Sequence, residues 1–383
     1  MNGSKPIRIA QVVGKMNGGG VESVVMNYYR HINHEKIQFD FIVDADSKLV
    51  PKMEIENWGG RVILVPPYQK TVLYHKELVS IFRREQYLIV HSHLNALSVF
   101  PLFAAKQAGI PVRIAHSHST AGKGEFSRNI MKYTLRPFSK LFATHYCACT
   151  NYAGKWLFGK TAVDNGQVRI IRNAIDIKQF IYNEQERRIV REELGLENEL
   201  VVGHIGRFMY QKNHFFLIQV FCEILKRKHD SILLLVGQGP LEEETRALVR
   251  NQGIENNVRF LGQRNDVSRL YQAMDLFLFP SFYEGLGVVC IEAQAAGLPC
   301  LVSDRVPKET DLFGTVRFIP LEASAFDWSD AALRIVEESG KRNDCKALIQ
   351  RAGYDITDEA KKLEDMYTIL TNKKNDNVQN KIS

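Results

Sequence analysis

The sequence predicts an α/β chain built as two doubly wound, parallel-sheet units. Three observations carry this. Short apolar runs alternate with helical stretches, the rhythm of βαβ repeats. The rhythm breaks in a charged segment near the middle and then starts again. The length of 383 residues, 45% hydrophobic and 24% charged, leaves material for two ordinary domain cores.

In the first half the strand-like runs are Ile7–Val13, Phe39–Val43, Val62–Val65, Tyr87–Val90, Val112–Ala115 and Ala143–Ala148. Helical stretches at 21–32, 49–58, 75–85, 95–108 and 123–140 separate them. In the second half Leu200–Ile205, Ser231–Val236, Val258–Leu261, Leu276–Phe279 and Cys300–Val302 read as strands. Helices at 213–228, 240–252, 266–273 and 287–296 lie between them. Ile170–Asp176 reads as a linker and 183–193 as a charged surface helix, which sets the boundary near 180. Residues 1–180 are thus expected to form one Rossmann-like unit and 181–354 a second. A last helix over 355–370 puts Ile356, Ala360, Leu363, Tyr367 and Leu370 on one face, and the polar tail beyond is expected to fray.

No apolar run approaches the roughly 18–20 residues that span a bilayer, and Met1–Lys5 leads into the first strand without a signal-peptide core. The expectation is a cytoplasmic protein. Its six cysteines form no C-x-x-C pair and mostly sit in apolar surroundings, as reduced core thiols do. A net charge of +7 is compatible with nucleic acid, an anionic membrane or a phosphorylated substrate. No aromatic stacking platform or nucleic-acid motif supports the first. Lys123, Arg128, Lys132, Arg136 and Lys140 recur among Phe126, Ile130, Met131, Tyr133, Leu135 and Phe138, as on a basic amphipathic helix or an ordinary solvated helix face.

Several motifs could carry chemistry. Gly18-Gly19-Gly20 precedes a helix whose first amides could meet an anion, although such a turn also simply joins a strand to a helix. Gly206-Arg207 closes a strand and Lys212 follows, so two cations project from the strand-end loop where open α/β sheets bind ligands. They could stabilise the charge of a departing diphosphate. Glu284 and Glu292 flank Gly285-Leu286-Gly287. A mostly helical interval would separate these carboxylates by about 12 Å, beyond the roughly 5–9.5 Å of a glycosidase pair but within the span of one ligand. Glu292 would suit ribose hydroxyls, and Gly285 and Gly287 offer amides to phosphate or sugar oxygens.

Taken together, the chain resembles the family 4 retaining glycosyltransferases of the GT-B fold, in particular bacterial exopolysaccharide and capsular polysaccharide glycosyltransferases of the Eps type. The resemblance spans nearly the whole length. It rests on Gly18-Gly19-Gly20-Val21-Glu22, His91-Ser92-His93, His116-Ser117-His118, Asn173-Ala174-Ile175-Asp176, Gly206-Arg207 with Lys212, Gly237-Gln238-Gly239-Pro240, Gly262-Gln263-Arg264-Asn265-Asp266-Val267 and Glu284 with Glu292. The resemblance implies two Rossmann-like units facing a central cleft, the last helix crossing back to the first. It implies donor contacts from Gly19, Gly20, Gly206, Gly239, Gly285, Leu286 and Gly287. Arg207 and Lys212 would hold the donor diphosphate, Glu292 the ribose and Glu284 the transferred sugar, with Gln263 and Arg264 facing the base. A strand-end histidine would lie by the reaction centre; His116 and His118 are both offered and His118 is favoured, although such a pair also serves packing. Asn213 stands where the family usually has Gly, and Leu286 where Phe is common.

The expected substrates are a nucleotide-diphosphate sugar, UDP being the commonest nucleotide, and a saccharide or lipid-linked saccharide acceptor. Retention without an evident nucleophile fits the front-face route proposed for the family that the chain resembles. No D-x-D pair is read at a strand end, so no essential metal and no other cofactor is expected. A non-catalytic nucleotide-sugar-binding partner of another transferase is the competing reading, and an oxidoreductase is disfavoured by the missing G-x-G-x-x-G. The basic stretch 123–140 suggests peripheral contact with anionic lipid at the inner face of the membrane.

Overall fold

A computed structural model describes residues 5–118, 126–342 and 344–379. The chain divides into two compact units, the first holding the described residues up to 174 and from 353 onward, the second holding 175–352.

In the first unit seven parallel strands, β1 (Ile7–Gly14), β2 (Ile37–Asp44), β3 (Arg61–Val65), β4 (Ile89–Ser92), β5 (Val112–Ser117), β6 (His145–Ala148) and β7 (Val168–Ile170), form one sheet in the order β3-β2-β1-β4-β5-β6-β7. Side chains alternate between faces with a period of two, so each strand feeds two cores. Ile9, Phe39, Phe41, Ile89 and Ile114 pack on one side, with Ala360, Leu363 and Tyr367 of the last helix. Ala10, Val12, Ile42, Val90 and Ala115 pack on the other. That last helix runs from Ile356 to Gln379, further than its apolar stripe suggests. It covers the sheet beside the helix Gly20–His31, whose Tyr28 hydroxyl donates to the Arg172 carbonyl at 2.6 Å.

The second unit is a sheet of six parallel strands, β8 (Leu200–Ile205), β9 (Ser231–Val236), β10 (Val258–Phe260), β11 (Leu276–Phe279), β12 (Cys300–Ser303) and β13 (Val316–Ile319), in the order β10-β9-β8-β11-β12-β13. Its two faces are again separately packed, around Phe277 and Phe279 on one side and Leu278, Phe221 and Trp328 on the other. The strand order reverses between β1 and β4 in the first sheet and between β8 and β11 in the second. At such reversals the flanking loops diverge and leave a crevice at the carboxyl ends of the strands. Strands β7 and β13, and the helices Asn151–Phe158 and Ala325–Glu338, are elements the sequence reading lacks.

Candidate active site

In the first unit the H-S-H sequences at the ends of β4 and β5 have a simple physical meaning. With a period of two, His91 and His93 share a face, as do His116 and His118, while Ser92 and Ser117 turn to the other. The Ser92 hydroxyl donates to Ser98 Oγ at 2.9 Å, and that of Ser117 to the Ala153 carbonyl at 3.0 Å. All four imidazoles are buried. His91 Nε2 lies 3.1 Å from His116 Nδ1, and His93 Nδ1 lies 2.9 Å from His118 Nε2. His91 Nδ1 reaches the Tyr367 hydroxyl at 2.7 Å, and His93 Nε2 reaches Gln11 Oε1 at 2.8 Å. Asn95 anchors the strand end by accepting from the His118 amide at 2.6 Å. Burial, helped by the neighbouring rings, holds His91 at about 3 and His93 and His116 well below the usual imidazole range; burial alone holds His118 at about 3. The stripe is therefore neutral at ordinary pH.

His91, His93 and His116 bring one ligand nitrogen each within 4.8 Å of one another, which is metal-ligand spacing. Their geometry serves hydrogen bonding better. The His91 and His93 rings stack at 4.3 Å and 25°, which directs their lone pairs along near-parallel planes instead of toward one point.

The glycine-rich turn of this unit is already occupied. The Gly18 and Gly19 amides donate to Glu22 Oε2 at 2.6 and 2.9 Å, so the donors expected to meet an anion instead cap the helix. Gly20 keeps open space, with nothing within 4 Å of where a Cβ would stand. One D-x-D sequence does close a strand, contrary to the sequence reading: Asp44-Ala45-Asp46 ends β2. Asp46 is paired with Lys15, and burial together with the charge of Asp46 raises the Asp44 carboxyl to about 6. A lysine within the pair and a carboxyl so easily protonated make it a poor cation site.

In the second unit the loops after β8 and β11 flank the reversal and are laced together. Lys212 Nζ donates to Glu284 Oε1 at 2.7 Å, and Gln211 Nε2 to Glu284 Oε2 at 3.0 Å. Gln211 Nε2 also reaches the Tyr283 carbonyl at 2.9 Å, and the Phe282 amide returns to the Gln211 carbonyl at 2.9 Å. Gly206 makes room for the lysine, since a Cβ there would stand 3.0 Å from Lys212 Cε. Lys212 Nζ also lies 4.7 Å from the Phe279 ring centroid, a cation–π contact. Asn213 takes a left-handed conformation at φ 56° and donates to the Pro280 carbonyl at 3.2 Å. That explains the departure from Gly: Asn is among the few side chains that tolerate this region. The Arg207 guanidinium is exposed, with no hydrogen bond or ion pair among the described residues.

Glu284 is buried, whereas Glu292 is partly accessible and accepts from the Tyr271 hydroxyl at 2.9 Å. Burial raises the Glu292 carboxyl to about 7, against the opposing pull of that hydrogen bond and of Lys212. The helix bearing it begins only at Val288, so half of the Glu284–Glu292 interval is loop and the helical rise assumed from the sequence does not apply. Leu286 is buried, its carbonyl taking the Thr310 hydroxyl, and Gly287 has φ 81°. Gly239 is a close-approach glycine: a Cβ there would stand 2.4 Å from the Phe208 carbonyl oxygen. Gln263 and Arg264 are exposed on the loop after β10, with Arg264 bidentate to Asp266 at 2.7 and 2.6 Å. Gln11, Tyr367, Gln211 and Tyr271 are the participants that sequence reasoning missed.

Residues 186–351 match the family described as Glycosyl transferases group 1, and residues 18–179 match Glycosyltransferase Family 4. The chain is 34% identical over 382 residues to glycosyltransferase EpsF of Bacillus subtilis (strain 168), covering 97% of this chain and 99% of the relative. It is 25% identical over 310 residues to the UDP-Gal:alpha-D-GlcNAc-diphosphoundecaprenol alpha-1,3-galactosyltransferase of Escherichia coli, covering 78% of this chain and 79% of that one. Among solved structures, Anabaena HepE in complex with UDP and glucose superposes with a TM-score of 0.79 at 19% identity, over 94% of this chain and 99% of that one. Two parallel α/β units with polar strand ends at the reversals, set beside these relatives, define a glycosyltransferase of the GT-B fold. Within that class, the chain belongs to glycosyltransferase family 4 and is of the Eps type.

Proposed function

We propose that the protein is a retaining transferase that moves a hexose or N-acetylhexosamine from a UDP-sugar to a hydroxyl of a lipid-linked saccharide, in exopolysaccharide or capsule synthesis. The observation that carries the reading is the Lys212–Glu284 pair, steadied by Gln211 at the reversal of the second sheet. Lys212 and the uncommitted Arg207 take the donor diphosphate and stabilise the charge that grows on it as the glycosidic bond breaks. Glu284 accepts from hydroxyls of the transferred sugar, and Glu292 from the ribose. Gln263 and Arg264 face the base, and Gly206, Gly239, Gly285, Leu286 and Gly287 let the donor approach the backbone. In the first unit Gly20, which keeps open space, is assigned to donor contact while the Gly19 amide stays with Glu22, and His118, with His116, contacts a sugar hydroxyl.

In the front-face route the anomeric carbon–oxygen bond to the diphosphate breaks, and the departing oxygen takes the acceptor's proton. The acceptor oxygen then bonds to the same face of the sugar. No metal is assigned, because two cations already answer the leaving-group charge. The HepE complex with UDP and glucose and the E. coli enzyme's UDP-galactose and diphosphoundecaprenol substrates favour the donor and acceptor named.

Among the described residues no helix is long and apolar enough to cross a membrane. Tyr133, Phe138 and Leu141 are 55%, 49% and 59% exposed beside Lys132, Arg136 and Lys140, and this basic, apolar surface favours peripheral contact with anionic lipid. Lys123 and the side chains of Phe126, Arg128 and Ile130 lie outside the described residues.

The test is nucleotide release from UDP-, GDP- and ADP-sugars in EDTA, comparing the intact protein with Glu284→Ala and Arg207→Ala. Turnover of a UDP-sugar that both substitutions abolish is expected. A thermal shift with a donor but no transfer would favour the binding-partner reading, and if no donor even raised the thermal midpoint the donor site would be misassigned.

A further inference from the structure

We propose that Gln11 and Tyr367 set the tautomers of the four buried histidines, so that His118 presents a bare Nδ1 and His116 an N–H to a sugar hydroxyl. The assignment of a hydroxyl as ligand rests on the function proposed above; the tautomers follow from hydrogen-bond accounting with the Gln11 amide placed Nε2 toward Tyr367 and Oε1 toward His93.

Each neutral imidazole carries one N–H and one lone pair. Gln11 is the hub. Its Nε2 donates to the Tyr367 hydroxyl at 3.0 Å, so that hydroxyl's own proton goes to its other partner, His91 Nδ1, at 2.7 Å. His91 therefore carries its proton on Nε2 and donates to His116 Nδ1, which leaves His116 protonated at Nε2. In the second arm Gln11 Oε1 accepts from His93 Nε2, so His93 Nδ1 is an acceptor and His118 Nε2 donates to it. His118 Nδ1 is left bare. The two ends of this relay, His116 Nε2 and His118 Nδ1, are both buried and have no hydrogen-bond partner among the described residues.

The arrangement has opposite polarity at its two ends because one amide feeds both arms. An amide offers a donor and an acceptor, and each arm inherits one of them. The His116 and His118 rings stand 3.9 Å apart, so a hydroxyl, which donates and accepts at once, satisfies both ends. A cation or a carboxylate would satisfy only one. Gln11 and Tyr367 are positioning residues in this scheme, since neither is at an open end of the relay.

All four rings are thus assigned the Nε2–H form, and reversing the Gln11 amide would convert all four to Nδ1–H. Long-range proton–nitrogen correlation spectra of the full-length, nitrogen-15-labelled protein read this directly, with signals assigned through single His→Asn variants. Nε2–H is expected at His91, His93, His116 and His118; Nδ1–H at His118 would overturn the proposal. Tyr367→Phe keeps the ring packing, and should release the tautomers of His91 and His116 while those of His93 and His118 persist. Gln11→Leu should release both arms and slow transfer by at least about tenfold. Unchanged tautomers in both variants would overturn the roles of Gln11 and Tyr367. Altered tautomers with undiminished transfer in Gln11→Leu would support the relay while removing His118 from the proposed reaction.

Discussion

Lys212 Nζ and Glu284 Oε1 are 2.7 Å apart, and the two side chains are only 15% and 8% exposed. The ammonium assigned to the donor phosphate thus already holds the carboxylate assigned to the sugar. Removing one member of such a pair strands the other in poorly solvated surroundings. Lys212→Ala is expected to destabilise the protein by about 3 kcal/mol in urea unfolding and to abolish the rise in thermal midpoint on adding UDP. Unchanged stability together with normal UDP binding would remove the pair from the donor site.

Glu292 should make donor binding depend on pH. Hydroxyl donors of a ribose favour its carboxylate form, and the free protein's carboxyl sits at about 7 instead of 4.5. The apparent KM for the donor should therefore fall as pH rises through about 7, and Glu292→Gln should flatten the profile. The stability effect has the opposite sense. The folded state binds more protons than the unfolded chain between 4.5 and about 7, so this group's contribution declines as pH rises across that window and Glu292→Gln removes the decline.

Asn213 offers a backbone test. At φ 56° a β-branched side chain is strained, and Asn213→Val should cost about 1–2 kcal/mol in urea unfolding. Asn213→Gly relieves the conformational cost but loses the bond to the Pro280 carbonyl, and should lie within about 0.5 kcal/mol of the parent. Equal effects of the two substitutions would show that the side chain, not the backbone, decides this position.

Two glycines should respond in opposite ways. Gly239→Ala places a methyl 2.4 Å from a backbone oxygen, so the loop must move; lower stability and weaker UDP binding by calorimetry are expected. Gly20→Ala meets open space at the start of a helix and should leave the thermal midpoint unchanged or slightly raised. A fall in transfer rate with that stable variant would mean that substrate approaches Gly20; full activity would remove Gly20 from the donor contacts.

For the membrane surface, reversing charge at Lys132 and Arg136 should weaken sedimentation with vesicles rich in phosphatidylserine by at least about thirtyfold, from ~1 kcal/mol per basic residue. Binding unaffected by these changes would exclude an electrostatic contact there.

The strands β8, β9 and β11 coincide with the runs read from the sequence because each is apolar and buried almost throughout. Strands β7 and β13 are short, lie at sheet edges and are interrupted by Arg169 and Arg317, a weak signal shared by the edge strand β10 with Arg259, the one of the three that the sequence reading includes. Within the site, the H-S-H pairs and the two glutamates stand out as residue types in a pattern. Their partners do not. Gln11 meets Tyr367 across 356 residues, Gln211 meets Glu284 across 73, and Tyr271 meets Glu292 from another helix. Such pairings depend on sheet order and helix docking, which no local window contains.

The last helix supplies Tyr367 and part of the apolar cover of the first sheet, so the first unit is made from both ends of the chain. A ribosome makes those residues after the whole of the second unit. Until they emerge, Gln11 and His91 each lack one of their two partners and the face around Ile9, Phe39 and Ile114 is incompletely covered. A message cut short between the second unit and Ile356 would yield a chain with a finished second sheet and an incompletely covered first one. The cover of the first sheet is therefore completed only after the whole second unit has been synthesised, which makes its closure a report that translation has passed that unit.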